Sequence, residues 1–534
     1  MTIDPAAEIR ALIDGAELVA PKTVELDDVG LTQREALLRV CDDAVVWHSA
    51  EGEPFATVPV GDHTEHLPIV SKAFKNWMLH RLASLFTRGG RPASANENAV
   101  REARAAVEAQ AMVAGIVQQV SLRVATDQGA IYLDLGTSDW SAVRIEAGGW
   151  RKIGRAPVPI LRGKRASAFA DPNAAADFGP LRRLLSHLDN DTFILLIAWC
   201  VGALLPDGPH PILVLGGEQG AGKSTLARLV QRMTDPINGD LLQPPRDDRD
   251  LIACAKTNRV LAFDNLSNLS TDLADSLCRL ATGSEIGGRA LFSDHDLATF
   301  SACRPLVING IPELAARGDL ADRSIVLRLP LLPGRMTERD WRAAVEATMP
   351  SCMAALLDAL SCGLDRLDET PTPDVRMADF ARFVVAAEPA LPWAPGAFLD
   401  AFLRARQQAN VTLADGDVVA AAVREFLDDH ARVWCGLTSE LLKLLNARLG
   451  PNTPRPKDWP GNARWLSDRL WRAAPALRSL GIGIEERRTS RGTMVTLSPN
   501  PLPDTSAPFA SEPCVAADSA NGASVAIPSL AKVG

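Results

Sequence analysis

Apolar and polar positions recur with two different periods along this chain, and the changes of period divide it. Leu31–Cys41, Ser71–Arg88 and Asn96–Met112 carry helical spacing, and Ala44–Val60 alternates about a Glu-Gly turn, which predicts a strand pair between helices. From Gly115 the period becomes two. Gln118–Ala125, Ala130–Leu135 and Ala142–Glu146 are separated by turn-forming groups, which predicts an antiparallel meander. Together these stretches predict an N-terminal α+β domain over 1–190. Phe193–Leu205 is apolar throughout but shorter than the roughly 20 residues a bilayer span requires, so it predicts a buried helix.

The middle of the chain reads as a buried parallel sheet with helices. Ile212–Leu215 is a short β-prone run stopped by a glycine pair, and Leu226, Leu229, Val230 and Met233 follow at i, i+3, i+4 and i+7. Arg259–Phe263, Arg304–Ile308 and Ser324–Leu329 are further apolar strands, with a glycine-rich hairpin over Thr282–Phe300. Pro333–Ala405 is helical, with Trp341, Ala344, Val345, Met353, Leu356, Leu357 and Leu360 at core spacing, which predicts a lid or collar over 333–410. Cys352 and Cys362 read as core residues and not as a redox pair.

Val418–Asp428, Thr438–Leu449 and Asn462–Leu480 predict three helices, the last kinked or ended by Pro475. Trp465, Leu466, Leu470, Ala474 and Leu477 form its expected buried face. Gly481–Glu486 and Thr493–Leu497 follow as two strands around a basic turn. Three helices and a basic hairpin look like a winged helix over 411–498. The Pro-, Ser- and Ala-rich stretch 499–534 has no period and predicts a disordered tail. The fold class is therefore multidomain α/β.

Composition and local charge sharpen this picture. The 534 residues carry a formal net charge of −9, so contact with nucleic acid requires local basic patches. From Pro451 to Thr496 nine basic residues face four acidic ones, an excess of +5 that supports phosphate contact through Arg464, Arg469, Arg472, Arg487, Arg488 and Arg491. A second basic run, Lys152–Arg165, reads first as a solvated face and second as a nucleic-acid contact. Nine cysteines without a CxxC pair suggest reduced thiols in a cytoplasm, and neither a signal peptide nor a membrane association is expected. His63 and His66, with Asp62 and Glu65 nearby, raise a metal site, but without a third ligand cluster they read as a solvated loop.

The chemistry concentrates in Gly217-Glu218-Gln219-Gly220-Ala221-Gly222-Lys223-Ser224-Thr225, a complete GxxxxGK[ST] loop between strand and helix. Glycines let successive N–H groups point at a phosphate, Lys223 supplies a point charge, and Ser224 offers a hydroxyl to Mg²⁺. The pattern predicts binding of Mg·ATP. Asp264 ends the next strand, where a carboxylate can hold Mg²⁺ through water.

The order of these elements resembles the superfamily 3 helicase branch of the AAA+ ATPases, especially phage- and poxvirus-type primase-helicases. The resemblance covers Pro211–Pro330. It implies a metal aspartate at Asp264, a DNA-tracking hairpin with Arg289 and His295, a polar sensor at Asn309, and an arginine finger at Arg323. It also implies a homo-oligomeric ring, a hexamer in this branch, with single-stranded DNA in its channel and duplex at the winged helix. Around IYLDLG and GGWRKI the chain is also similar to ATP-binding proteins of prophages and integrative elements. One position departs from the pattern. Many AAA+ ATPases place a general-base glutamate after the metal aspartate, and here that residue is Asn265, which orients water but cannot take its proton. Glu218 is a weaker substitute, distant from the acidic strand end. The leading expectation is an ATP-dependent helicase, translocase or initiation ATPase of a phage or mobile element. An ATP-switched DNA-binding protein with little hydrolysis, and a divergent primase with an auxiliary ATPase, are the rivals.

Overall fold

Alternation in steps of two becomes a hairpin where a residue tolerant of positive φ separates the runs. The computed structural model describes residues 23–266, 269–289, 297–310, 318–334, 336–430, 433–449 and 459–498. Helix α1 (Gln33–Val40) starts at a Thr32–Glu35 capping box. Strands β1 (Val45–His48) and β2 (Pro54–Val60) pair antiparallel about a turn with Gly52 at φ 79°. β3 (His63–Pro68), helices α2 (Lys72–Leu85) and α3 (Glu97–Ala114), and β4 (Ile116–Val117) complete this part, in sheet order β3-β2-β1-β4. The His63–His66 segment is thus a strand and not a solvated loop. His66 Nδ1 lies 2.8 Å from Thr57 Oγ1 across the sheet, and no metal-binding cluster occurs among the described residues.

The meander is larger than its sequence pattern: β5 (Ser121–Leu122), β6 (Val124–Asp127), β7 (Ala130–Asp134), β8 (Ala142–Glu146), β9 (Gly149–Ile153) and β10 (Ile160–Leu161), ordered β9-β8-β7-β6-β5-β10. The single strand expected over Gln118–Ala125 breaks at Arg123, whose backbone sits at φ 62°. The cause is tertiary. Its buried guanidinium donates from Nε to Asp235 at 2.9 Å and from Nη2 to the carbonyls of Ser167 and Pro236.

Helix α4 (Asn190–Ala203) is buried on almost every side, as its unbroken apolar sequence requires. It leads to β11 (Ile212–Gly216) and α5 (Lys223–Thr234), then β12 (Leu261–Leu266), α6 (Thr271–Thr282), the antiparallel hairpin β13 (Ile286–Arg289) and β14 (Leu297–Phe300), β15 (Leu306–Gly310) and β16 (Ser324–Arg328). The last two join β11 and β12 in a wholly parallel sheet ordered β12-β15-β11-β16. Leu213 and Leu215 enter one core while Ile212 and Val214 enter the other, so the strand has no solvent face. Two strands begin later than their apolar patterns because Arg259 and Arg304 turn away to cap carbonyls: Arg259 Nη1 to Cys303, and Arg304 Nε to Ala255, each at 3.1 Å.

Helices α7 (Glu338–Arg366), α8 (Ala378–Ala387) and α9 (Ala397–Gly416) follow. The core that holds Leu213 also holds Val143 of the meander, Leu357 of α7 and Phe398 of α9, so it runs across the expected domain boundaries at 190 and 332. The division into compact units falls instead between Arg406 and Gln407. One described helix, α7, is long and apolar enough to cross a membrane, and 67% of its most apolar window is buried inside the protein.

The second unit has its own core, with Val423, Leu441, Leu466, Leu470, Leu477 and Val495. It contains α10 (Val418–His430), β17 (Trp434–Leu437), α11 (Thr438–Leu449), α12 (Ala463–Ser479), β18 (Gly483–Thr489) and β19 (Gly492–Ser498). β17 is a strand missed in the sequence pattern, and it pairs with β19 in the antiparallel order β17-β19-β18. α12 continues past Pro475 to Ser479, so the expected early end does not occur. The stretch 499–534 lies outside the described residues.

Candidate functional site

β11 and α5 are joined by the glycine loop, and the local backbone explains its glycines. Gly217 has φ 147° and Gly222 φ 80°, both in the region that disfavours side chains. A Cβ at Gly217 would also sit 2.8 Å from the Leu329 carbonyl, and one at Gly222 3.3 Å from Leu332. Glu218, Gln219 and Gly220 are exposed, Ala221 is buried, and Ser224 and Thr225 are half-buried at the helix start. The free N–H groups of that first turn carry the positive end of the helix dipole. Lys223 folds back so that Nζ donates to the carbonyls of Gly217 and Glu218, both at 2.8 Å.

Asp264 and Asn309 reach the loop because their strands present alternate residues to opposite faces. Ala262 and Val307 enter the core shared with α5, and two residues on Asp264 and Asn309 follow on that same face. Ser224 Oγ donates to Asp264 Oδ1 at 2.7 Å, and Asn309 Nδ2 donates to Ser224 Oγ at 3.2 Å. Asn309 also donates to Asp264 Oδ1 and accepts the backbone N–H of Asn265. A hydroxyl and a carboxylate oxygen therefore converge beside the helix start, the hard oxygen donors that suit Mg²⁺.

Asn265 has an exposed side chain and a backbone at φ 56°, where the register of β12 against β15 slips. Asparagine tolerates the left-handed region and glutamate does so poorly. The bulge therefore suits an asparagine at this position. Arg323 does not join this cluster. It precedes Ser324, which pairs with Ile212, whereas Gly216 at the loop pairs with Arg328. Four strand residues, about 13 Å, separate the two edges. Arg289 ends β13, and His295 lies outside the described residues.

The basic run Lys152–Arg165 is largely committed within the protein and is not a free solvated face. Arg162 donates to both oxygens of the buried Asp134, at 2.8 and 2.6 Å, and its guanidinium lies 3.7 Å from the Trp140 ring centroid. Lys152 pairs with Asp171 at 2.9 Å, and Arg165 donates to the carbonyls of Asn238 and Asp240. Asp235, invisible in the sequence pattern, holds a neighbouring cluster, joined to Asp134 through Arg123, which lies 3.8 Å from the Asp134 carboxylate. Asp235 accepts from Arg123 and from the backbone N–H groups of Arg259 and Val260, at 3.0 and 3.1 Å. Burial lowers the proton affinity of Arg259 and pushes Arg304 down to about 9.

In the second unit Arg464, Arg472, Arg487, Arg488 and Arg491 are exposed on α12 and the β18–β19 hairpin. Arg469 differs, since its Nη2 donates to Asp417 at 2.9 Å and its side chain is only 19% exposed. Trp465, expected on the buried face, is 40% exposed, and Trp471 is 55% exposed. The signal was available: Trp465 stands one residue, about 100°, away from the Leu466–Leu470–Leu477 stripe.

Residues 179–403 match the family model described as actinomycete integrative conjugative element replication protein, and 419–510 match the RepA C-terminal domain of the same elements. The chain is thus similar to a mobile-element replication protein over two consecutive regions, which divide close to the boundary between its two units. No curated protein matches it. Among solved structures, the apo C-terminal region of NrS-1 aligns over 86% of this chain and 98% of its own, at 10% identity and a TM-score of 0.37. A JCV helicase bound to a small molecule aligns over 39% of this chain and 66% of its own, at 13% identity and a TM-score of 0.22.

Proposed function

We propose that this chain is an ATP-driven DNA helicase, translocase or loader that serves replication of a mobile element. The observation that carries the reading is the convergence of Lys223, Ser224, Asp264 and Asn309 at the start of α5. A triphosphate would displace the loop carbonyls as partners of Lys223 and take the N–H groups of Gly220–Thr225. Ser224 and Asp264 would hold Mg²⁺, which supplies charge neutralisation at the β- and γ-oxygens. Asn309 would keep the Asp264 carboxylate aimed at the loop. In this reading the second unit is a winged helix that engages duplex DNA, and the chain assembles as a homo-oligomeric ring, a hexamer by analogy. Arg323, at the far edge of its own sheet, is suited to act on a neighbouring subunit's nucleotide.

Lys223→Ala should abolish steady-state ATP hydrolysis and weaken nucleotide binding. Unchanged turnover in the purified variant would remove the assignment. A second reading, a nucleotide switch with little hydrolysis, is favoured by Asn265. It predicts stoichiometric ATP binding with slow ADP formation in single-turnover experiments and negligible steady-state turnover, whether or not single-stranded DNA is present.

A further inference from the structure

The exposed side of α12 carries more than phosphate contacts require. At 100° per residue, Leu466, Leu470, Ala473, Ala474 and Leu477 cluster in one arc and are all buried. Arg464, Trp465, Asp468, Trp471, Arg472 and Arg478 fall in the opposite arc, and all six are exposed. Three arginines against one aspartate give this strip a net charge of +2, beside the arginines of the β18–β19 hairpin. Charge selects a polyanion for this surface. The two indoles select something narrower, because phosphate contacts leave a tryptophan face without a partner.

In an intact duplex the flat faces of the bases are covered by their neighbours, and the grooves present only edges. An unpaired base has a free π-face, and stacking it on an aromatic side chain contributes about 1–3 kcal/mol. From this we infer that the exposed face of α12 binds DNA carrying unpaired bases next to a duplex, with arginines on the backbone and Trp465 and Trp471 stacked on the unpaired bases. The inference rests on the reading that the second unit engages DNA, and it names the DNA structure selected. A motor that acts where strands separate would then be placed there by its C-terminal unit.

Three fluorescent DNAs test it with the full chain and no nucleotide: a blunt duplex, the same duplex with a single-stranded fork, and the single strand alone. Wild-type protein should prefer the fork to the blunt duplex. Trp465→Ala/Trp471→Ala should lose about 30-fold or more in fork affinity and less than about 3-fold on the blunt duplex. Trp465→Phe/Trp471→Phe, which keeps a π-face, should recover most of the loss. Both positions are exposed, so folding is expected to survive, and circular dichroism checks it. Equal losses on all three DNAs, or no loss on any, would overturn stacking; in the second case the indoles are a protein-contact surface. Arg464→Glu/Arg472→Glu separates the two levels of inference. It should weaken every DNA, and if blunt-duplex affinity persists, DNA engagement by this unit fails irrespective of the tryptophans.

Discussion

The two units use the same residue, arginine, in opposite ways. In the first, Arg123, Arg162, Arg259 and Arg304 turn inward to carboxylates, carbonyls and an aromatic ring, while the candidate phosphate site is built from backbone N–H groups and Lys223. In the second, the arginines of α12 and its hairpin stand largely in solvent. A basic run is therefore ambiguous in sequence. Lys152–Arg165 and Arg464–Arg491 look alike as strings, yet one is held by Asp134, Asp171 and backbone carbonyls and the other is largely exposed. Burial is expensive for a cation without partners, so inward arginines mark positions where acceptors were already fixed by the fold.

The largest test of this contrast concerns Arg323, the first-unit arginine proposed to act outside its own subunit. Arg323→Ala should leave ATP binding largely intact and lower turnover by about 10³–10⁵. Mixed with Lys223→Ala protein, it should regain activity where an intact loop meets an intact arginine. Failure to recover after verified subunit exchange would return Arg323 to a structural role.

Next comes the interior network. Asp235→Ala leaves Arg123 buried without its 2.9 Å partner and frees two backbone N–H groups. Loss of one partner from a buried pair costs about 3–5 kcal/mol, so urea unfolding of the first unit should shift by that amount. A change under about 1 kcal/mol would show that these arginines are solvated after all.

A smaller effect follows pH. Burial lowers His66 to about 4 from an ordinary value near 6.5. The folded imidazole stays neutral while the unfolded one gains a proton. Stability is therefore full above pH 6.5 and falls as pH drops towards 4, by roughly 2–3 kcal/mol. His66→Gln should flatten that slope in denaturation curves at pH 7, 5.5 and 4.5.

The smallest effect sharpens the contrast inside the second unit. Arg464→Ala should reduce the salt dependence of DNA binding by about one charge, whereas Arg469→Ala should leave that slope unchanged and cost about 1 kcal/mol of stability. Equal changes in salt slope would mean that the Asp417 pair opens on DNA.

Local patterns were sufficient for the elements whose cause is local. The glycine loop was legible because Gly217 and Gly222 stand where the backbone turns at positive φ, before Lys223 and Ser224 at the helix start, and the strands around it because apolar runs without a polar face have to be buried. The paired helices and hairpin of 418–498 were legible for the same reason, from periods of 3.6 and 2. What tertiary structure decided was the fate of polar groups. Arg123 interrupts a strand because Asp235, 112 residues away in sequence, accepts its guanidinium. Asn265 occupies a left-handed bulge that only the pairing of two distant strands creates. Arg469 pairs with Asp417 while its neighbour Arg472 stays in water. Hydrophobic burial follows a repeat that can be read along the chain, but a hydrogen-bond partner is a position in space, and only the folded chain supplies it.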